Sequence, residues 1–314
     1  MLHSPDKADD RADRPVVLVV SDQRDWHARR MEAAFAAAGA SVERIDLAAC
    51  GFDTQNASGL SLPVLGSRLP DAVHVRTMSA GSFEAVTKRL GLLHALSKLG
   101  VAVWNDAGAI ERCVDKSMTS FLLAQAGVPT PPTWTVESLT AARALVEREA
   151  PGGLLVLKPL FGAQGKGLRL IRGPEDLPGP GEVAGVYYLQ RFQSNGSQDF
   201  TDFRLFVVRG RVIGAMMRRA STWITNVKQG GEPVAIAPDP KMEHLAVAAA
   251  HAVGAAIAGV DVLVTASGTP TVLEVNSMPA WSGLQKVTTL NIAEAIASAL
   301  MDELAQRPAR LRAL

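Results

Sequence analysis

Residues 15–20 (PVVLVV) form an unbroken apolar run, the pattern of a strand covered on both faces in a parallel sheet. A polar loop over 21–25 leads into an Ala-rich segment, 26–38, that predicts a helix closed by Gly39. Residues 41–47 read as the next strand, completing a strand–helix–strand unit. Loop-like sequence over 60–71 follows, then a strand at 72–76 (AVHVR), a helix over 82–99 stopped by Gly100, and a strand at 101–104. Strands alternating with helices predict a parallel α/β sheet in the first third of the chain.

The pattern then changes. A helix over 115–126 begins at a capping Asp115 and ends at Gly127, with Pro129, Pro131 and Pro132 enforcing the stop. Strands at 154–158 and 168–171 are joined by a glycine-rich link, and further strands are expected at 186–190, 202–208 and 212–217, with Arg209-Gly210 as a hairpin turn. A long amphipathic helix is predicted over 241–258, a hairpin of strands 259–265 and 271–276 around Ser267-Gly268, and a closing helix over 291–304. An α/β region is thus followed by an α+β region rich in antiparallel strands.

A length of 314 residues suggests two packed domains, and 47% hydrophobic with 20% charged residues excludes a mainly disordered chain. With 32 Lys+Arg against 31 Asp+Glu the formal charge is +1, so there is no general pull toward nucleic acid or membrane and the balance points to a small-molecule or protein partner. Cys50 and Cys113 are the two cysteines; without CxxC spacing they suggest neither a disulfide framework nor a zinc site, which fits a reducing cytoplasm. Residues 1–14 are polar, expected to be a disordered tail, and lack the apolar core of a signal peptide. The least polar stretch, 245–264, is broken by His251, several glycines and Asp261, so no membrane span is expected.

Two segments carry chemistry. From Lys158 to Gly167, the glycines Gly162, Gly165 and Gly167 let backbone N–H groups approach phosphate oxygens. A strand rather than a helix follows, so the loop reads as a hairpin folded over a nucleotide; on this motif alone, a surface turn with a solvated lysine stands equally. In the second segment, Glu274 and Asn276 are two apart on a strand and share a face, with Asp261 on the neighbouring strand. Two carboxylates and an amide oxygen form a hard donor set suited to Mg²⁺, and an unpaired Asp261 within Gly-Val-Asp-Val-Leu-Val would be costly. The bland reading, polar residues on an exposed hairpin, is weaker. His244 and His251, seven apart, and the cluster of Met216, Met217 and Trp223 read as packing, whereas Arg218 and Arg219 precede a segment that looks structured.

A lysine before a glycine hairpin, followed over a hundred residues later by Asp…Glu-x-Asn, resembles the ATP-grasp superfamily, and within it the RimK-like carboxylate–amine ligases. The resemblance runs from about Val101 to the C-terminus, through Asn105-Asp106, Asp115-Lys116, the segment 122–129, Gly162 to Gly165, Arg218-Arg219 and 274–279 (EVNSMP). It implies a pre-ATP-grasp α/β domain over 15–112, a central subdomain with the glycine hairpin over 113–189, and a C-terminal subdomain with the metal site over 190–314. It implies that Lys116 and Lys158 contact ATP phosphates, Lys158 also lying near the adenine. Gly162, Gln164, Gly165 and Gly167 form the hairpin. Gln190, Arg191 and Phe192 match the hinge that grips adenine, Asp202 the ribose-side residue, and Ile224, Thr225 and Asn226 the segment that closes the nucleotide loop. Asp261, Glu274 and Asn276 are the implied ligands of two Mg²⁺ or Mn²⁺ ions, and Arg204 and Arg219 the candidates for stabilising an acyl phosphate.

Departures narrow the resemblance. Arg191 stands where the ribosomal-protein glutamate ligases usually carry Glu, 223–226 (WITN) replaces their Arg-Ser-Asn type of segment, and Gln229 stands where small-molecule relatives usually carry Arg. In D-alanine ligases an Arg precedes the metal Asp by two; here that position is Gly259. The segment 278–285 (MPAWSGLQ) is similar to members associated with tetrahydromethanopterin-type one-carbon cofactors. The implied activity is ATP- and Mg²⁺-dependent amide formation through an acyl phosphate, adding L-glutamate to a small cofactor carboxylate. Arg76 and either Arg24 or His27 are candidates for the acceptor side. Glutamylation of a protein C-terminus and nucleotide binding without turnover are the alternatives. Members of this family often oligomerise, so a homo-oligomer is among the expectations.

Overall fold

A computed structural model describes residues 14–162, 165–197 and 199–307; Gln164 of the glycine hairpin and residues 1–13 of the expected tail lie outside them. The chain divides into two compact units, one formed by the part up to Ala107 together with the part from Asn291, the other by Gly108–Leu290. The closing helix therefore belongs with the N-terminal unit rather than with a C-terminal segment over 190–314. Among the described residues no helix is long and apolar enough to cross a membrane. Cys50 and Cys113 are free thiols, both buried.

The first unit holds a four-stranded parallel sheet in the order Ser41–Ile45, Val16–Val20, Ala72–Val75, Ala102–Trp104. Val17 to Val20 are almost fully enclosed, which explains the unbroken apolar run. Asp25 caps the helix Trp26–Ala37 by accepting from the Ala28 amide at 2.7 Å. Helix Ile292–Gln306 buries the stripe Ile292, Ile296, Leu300 and Leu304. Its Glu303 carboxylate accepts from Trp104 Nε1 at 3.1 Å, and Arg307 donates to the Gly100 carbonyl at 2.8 Å. Of the three residues considered for an acceptor side, Arg24 is exposed and paired with Glu32 at 2.8 Å, while His27 and Arg76 are buried, 3.2 and 3.8 Å from Asp25.

The second unit contains two antiparallel sheets. One orders Thr133–Glu137, Val186–Arg191, Leu155–Lys158 and Arg169–Ile171, and packs Leu155, Leu157, Tyr187 and Leu189 against Ala142, Leu145 and Val146 of helix Leu139–Glu149. The other orders Glu232–Ala235, Arg211–Ala220, Phe200–Val208, Ile257–Val264 and Pro270–Asn276. Its core face, with Leu205, Val207, Val260, Val262 and Val275, meets Leu245, Ala246 and Ala249 of helix Pro240–Ala252.

That helix ends six residues before the expected position, Ala258. Gly254 adopts φ +68°, its N–H donates to the His251 carbonyl and the Ala255 N–H to the Ala250 carbonyl, so a left-handed cap reverses the chain and releases Ile257 and Ala258 into the strand. The elements that the sequence pattern does not announce include the strand Thr133–Glu137, the helix Leu139–Glu149 and the edge strand Glu232–Ala235, as well as the helix Ala107–Val114. Ser138, at φ +72°, alone joins the first two, so no cluster of turn residues marks the junction.

Asp25 holds its proton less tightly than an ordinary carboxyl: partial burial raises its pKa, but the Ala28 amide, Arg76 and His27 together outweigh burial. Asp25→Ala should lower stability by about 1 kcal/mol in urea denaturation, the usual worth of such a cap. A pKa held below its unfolded value gives stability that is present above the unfolded value, about 3.9, and lost as pH falls through the folded one. The lead of wild type over Asp25→Asn should therefore shrink below about pH 4; a lead unchanged down to pH 2 would show that the charge contributes nothing.

Candidate active site

The chemistry-bearing side chains of the second unit gather on the face of the five-stranded sheet opposite the helix. In Phe200–Val208 the odd positions Phe203, Leu205 and Val207 turn to the core, so Asp202 and Arg204 share the other face. Strand register brings the rest alongside: Arg218 lies opposite Asp202, Asp261 opposite Arg204, Glu274 opposite Asp261, and Asn276 opposite Gly259. A register shift between Asp261 and Val262 makes Leu273 an extra residue and keeps Glu274 level with Asp261.

Four of these side chains form a buried row of alternating charge. Arg218 Nε donates to Asp202 Oδ1 at 2.6 Å, and its Nη2 donates to Asp202 Oδ2 while lying 3.2 Å from Asp261 Oδ2. Arg204 grips the same Asp261 through Nε to Oδ1 and through Nη2 to Oδ2 at 2.9 Å. None of the four residues is more than 8% exposed. Burial raises the pKa of Asp261, but Arg204 and Arg218 hold it below the usual carboxylate range. Burial likewise disfavours the charge on Arg218, yet Asp261 and Asp202 push its pKa above that of a free guanidinium. Gly259 makes room for this: a Cβ there would stand 3.1 Å from Arg204 Nη1 and 2.8 Å from Pro279.

Two lysines come from the glycine-loop side. Lys158 ends its strand and donates to Gln190 Oε1 at 2.6 Å; burial and the neighbouring Lys116 lower its pKa, while Glu274 and Asp261 oppose the shift. Lys116 opens the helix Lys116–Gln125, capped by Asp115, and donates to the carbonyls of Gly162 at 2.7 Å and Leu160 at 3.4 Å. Gly165, at φ +68°, lies against the turn at 224–229: a Cβ would come within 2.7 Å of Gln229 and 2.9 Å of Ile224. Gly167 packs as closely on Pro159.

One cleft joins these parts. Lys158, Gln190, Asp202, Arg218, Asp261 and Glu274 form its polar side; Val156, Leu168, Phe192, Trp223, Ile224, Leu263 and Leu273 its apolar walls. The hinge residues enter differently from one another. Phe192 meets Trp223 edge to face at 6.0 Å. The Arg191 side chain instead binds the Glu149 carboxylate at 3.2 Å and the Gly153 carbonyl at 2.6 Å and covers the Trp134 ring, leaving its backbone as the part that serves the cleft. Asn226 Oδ1 caps the turn Val227–Gln229 by accepting from the Lys228 amide at 3.0 Å, and Thr225 sits beside it on the cleft wall.

Arg219 is placed away from the cleft. It pairs with Thr201 on the opposite face of the sheet and is exposed, and Arg218 occupies the cleft in its stead. Trp223, read from sequence as packing, lines the cleft as well. Among the described residues no cluster of three or more His, Cys, Asp and Glu side chains could hold a metal. A cation here would be held by two carboxylates and an amide. Asp261 Oδ1 accepts from Arg204 alone and keeps a second lone pair, whereas Oδ2 meets both Arg204 and Arg218; Asn276 uses its Nδ2 toward the Gly259 carbonyl at 3.4 Å, so its Oδ1 remains available as a ligand atom. These hard oxygen ligands fit Mg²⁺ provided a bound anion completes the shell.

Residues 113–300 match the model of the RimK-like ATP-grasp domain. The tetrahydromethanopterin:alpha-L-glutamate ligase of Methanosarcina acetivorans is 31% identical over 322 residues, covering 90% of this chain and 97% of that protein. A probable alpha-L-glutamate ligase of Legionella pneumophila is 33% identical over 228 residues, 67% of this chain and 74% of that one. In architecture the chain is similar to the ATP-grasp ligase PsnB complexed with minimal precursor, Mg and ADP, with a TM-score of 0.70 at 21% identity over 92% of this chain and 98% of that one. By the extent of the domain match and the near full-length similarity to the Methanosarcina protein, the chain belongs to the RimK-like ATP-grasp family.

Proposed function

We propose that this ATP-dependent carbon–nitrogen ligase joins the amino group of L-glutamate to the carboxylate of a small-molecule acceptor resembling tetrahydromethanopterin, by way of an acyl phosphate. The observation that carries the reading is the meeting, in one cleft with apolar walls, of Lys158 with Arg218, Asp261 and Glu274, the same Asp261 being gripped by Arg204. The names of the relatives supply the amino acid and the acceptor class.

The residues divide the work by their chemistry. A carboxylate is a poor electrophile, so the γ-phosphoryl group of ATP is first moved to an acceptor oxygen, releasing ADP. The amine then attacks the acyl carbon, phosphate leaves with the bonding electrons, and the amine gives up a proton. The apolar walls and the hinge of Gln190, Arg191 and Phe192 hold the adenine, whose edge meets backbone groups. Lys158 and Lys116 face phosphate oxygens, and Gly162, Gly165 and Gly167 let the loop backbone cover them. Ile224, Thr225 and Asn226 form the wall against which that loop closes. Asp261, Glu274 and Asn276 would hold two Mg²⁺ or Mn²⁺ ions, which would supply charge neutralisation during phosphoryl transfer. Arg204, fixed by Asp261, is the proposed donor to the acyl phosphate and to the oxyanion of its aminolysis.

The test is ADP release with Mg·ATP and L-glutamate, supplied with pterin-type carboxylate acceptors or with size-separated cell fractions, and product mass checked for an added glutamyl unit. Gain of glutamate in a small acceptor is expected. Gain only in the protein fraction would replace the acceptor class, and gain of another amino acid would replace glutamate. Lys158→Ala and Glu274→Ala should each lower turnover by about 10²-fold or more with circular dichroism unchanged, the scale set by losing one preorganised electrostatic contact. Full activity in either would remove that residue from the site.

A further inference from the structure

We propose that Tyr188 is a positioning residue that fixes which end of the Gln190 amide faces Lys158. The proposal rests on the reading of the cleft as a nucleotide site and deepens it. Tyr188 and Gln190 are two apart on Val186–Arg191 and share the face opposite Tyr187 and Leu189, which pack on helix Leu139–Glu149. Both are buried, 1% and 2% exposed, and Lys158 stands directly across the ladder from Tyr188. Lys158 and Gln190 line the cleft, whereas Tyr188 is not among the described residues that do. Any influence of Tyr188 on a ligand is therefore exerted through its neighbours.

A primary amide can turn either its oxygen or its NH₂ group toward a neighbour. An ammonium group only donates, so Lys158 can bond the oxygen alone. Lys158 meets Gln190 Oε1 at 2.6 Å, and Gln190 Nε2 donates to the Tyr188 hydroxyl at 3.5 Å. A hydroxyl both donates and accepts and can serve either orientation, so the groups behind it decide. The Thr133 hydroxyl gives its proton to the Pro131 carbonyl at 2.9 Å and also bonds Tyr188. With its proton spent, Thr133 accepts from Tyr188, and the phenol oxygen is left to accept from Gln190. Ser120 Oγ lies 2.8 Å from the same phenol oxygen and completes its shell. Burial raises the Tyr188 pKa, so the phenol keeps the proton that this chain of bonds requires. The row Lys158–Gln190–Tyr188–Thr133–Pro131 ends on a carbonyl, which cannot donate, and so runs in one direction only. Without the phenol, the buried amide is able to reverse and set its NH₂ against the ammonium, displacing Lys158 from a bound phosphate.

Calorimetry of ADP binding with Mg²⁺ compares wild type, Tyr188→Phe, Thr133→Val and Gln190→Met, and the first two changes each combined with Gln190→Met. Tyr188→Phe and Thr133→Val are each expected to weaken ADP binding about 10-fold, the scale of one hydrogen bond to a charged group. In the Gln190→Met background, where there is no amide to turn, either change should alter affinity by less than about 2-fold. A merely structural Tyr188 would cost the same in both backgrounds, and that result would overturn the proposal. Undiminished affinity in Tyr188→Phe would overturn it too. Thr133→Val keeps the side-chain shape on a strand, so it carries the same comparison if Tyr188→Phe does not fold. None of these readouts depends on which acceptor or amino acid is used. Wild-type protein that bound no ADP would instead remove the nucleotide reading itself, and this proposal with it.

Discussion

The buried row Asp202–Arg218–Asp261–Arg204 constrains everything around it. Four charges that are almost wholly excluded from water hold only as a set, since removing one partner of a buried pair typically costs about 3–5 kcal/mol. The row can form because three adjacent strands present these residues level with one another, Asp202 opposite Arg218 and Arg204 opposite Asp261. The strand register in turn is fixed by the reverse face, where Leu205, Val207, Val260 and Val262 must meet helix Pro240–Ala252; a slip by one residue would send the charges into that core. Core packing and site electrostatics are therefore one constraint read from two sides of the sheet.

The same principle governs the lysines. Lys116 lies close enough to Lys158 to disfavour its charge, and both find internal acceptors, the Gln190 amide and the carbonyls of the glycine loop. Each of the two lysines is thus held by an uncharged acceptor. Lys116 ties the beginning of the loop through Gly162, and Gly165 seats the later part on Ile224 and Gln229, so the loop rests on the cleft through contacts at two points. Such a site needs little reorganisation to accept an anion, because its donors are already desolvated and aimed by the protein.

Much of this is legible in the sequence because it depends on local rules. The apolar run at Val16–Val20, the capping Asp115, the glycine hairpin and the two-residue spacing of Glu274 and Asn276 each express one element's own geometry. What is not legible depends on irregularity. A hairpin closing regularly from Val208–Arg211 would pair Phe200 with Arg219 and set Arg219 on the face of Asp202. The irregularity between Phe206 and Val207, where Ile213 becomes the extra residue, shifts the pairing by one and brings Arg218 to that face instead. No turn residue announces the bulge, so the choice between adjacent arginines is decided by tertiary packing. The junction at Ser138, a single residue between strand and helix, was silent for a similar reason.

The hinge shows how a departure from a family pattern can leave the site intact. Arg191 replaces a usual acid, and a change of charge sign beside a nucleotide would be expected to alter binding. Its guanidinium, however, is drawn to the Glu149 carboxylate, the Gly153 carbonyl and the Trp134 ring, away from the cleft. The amides of Arg191 and Phe192 are likewise engaged, with the Pro132 and Leu154 carbonyls. The side chain that differs braces the strand, and its positive charge is matched by Glu149.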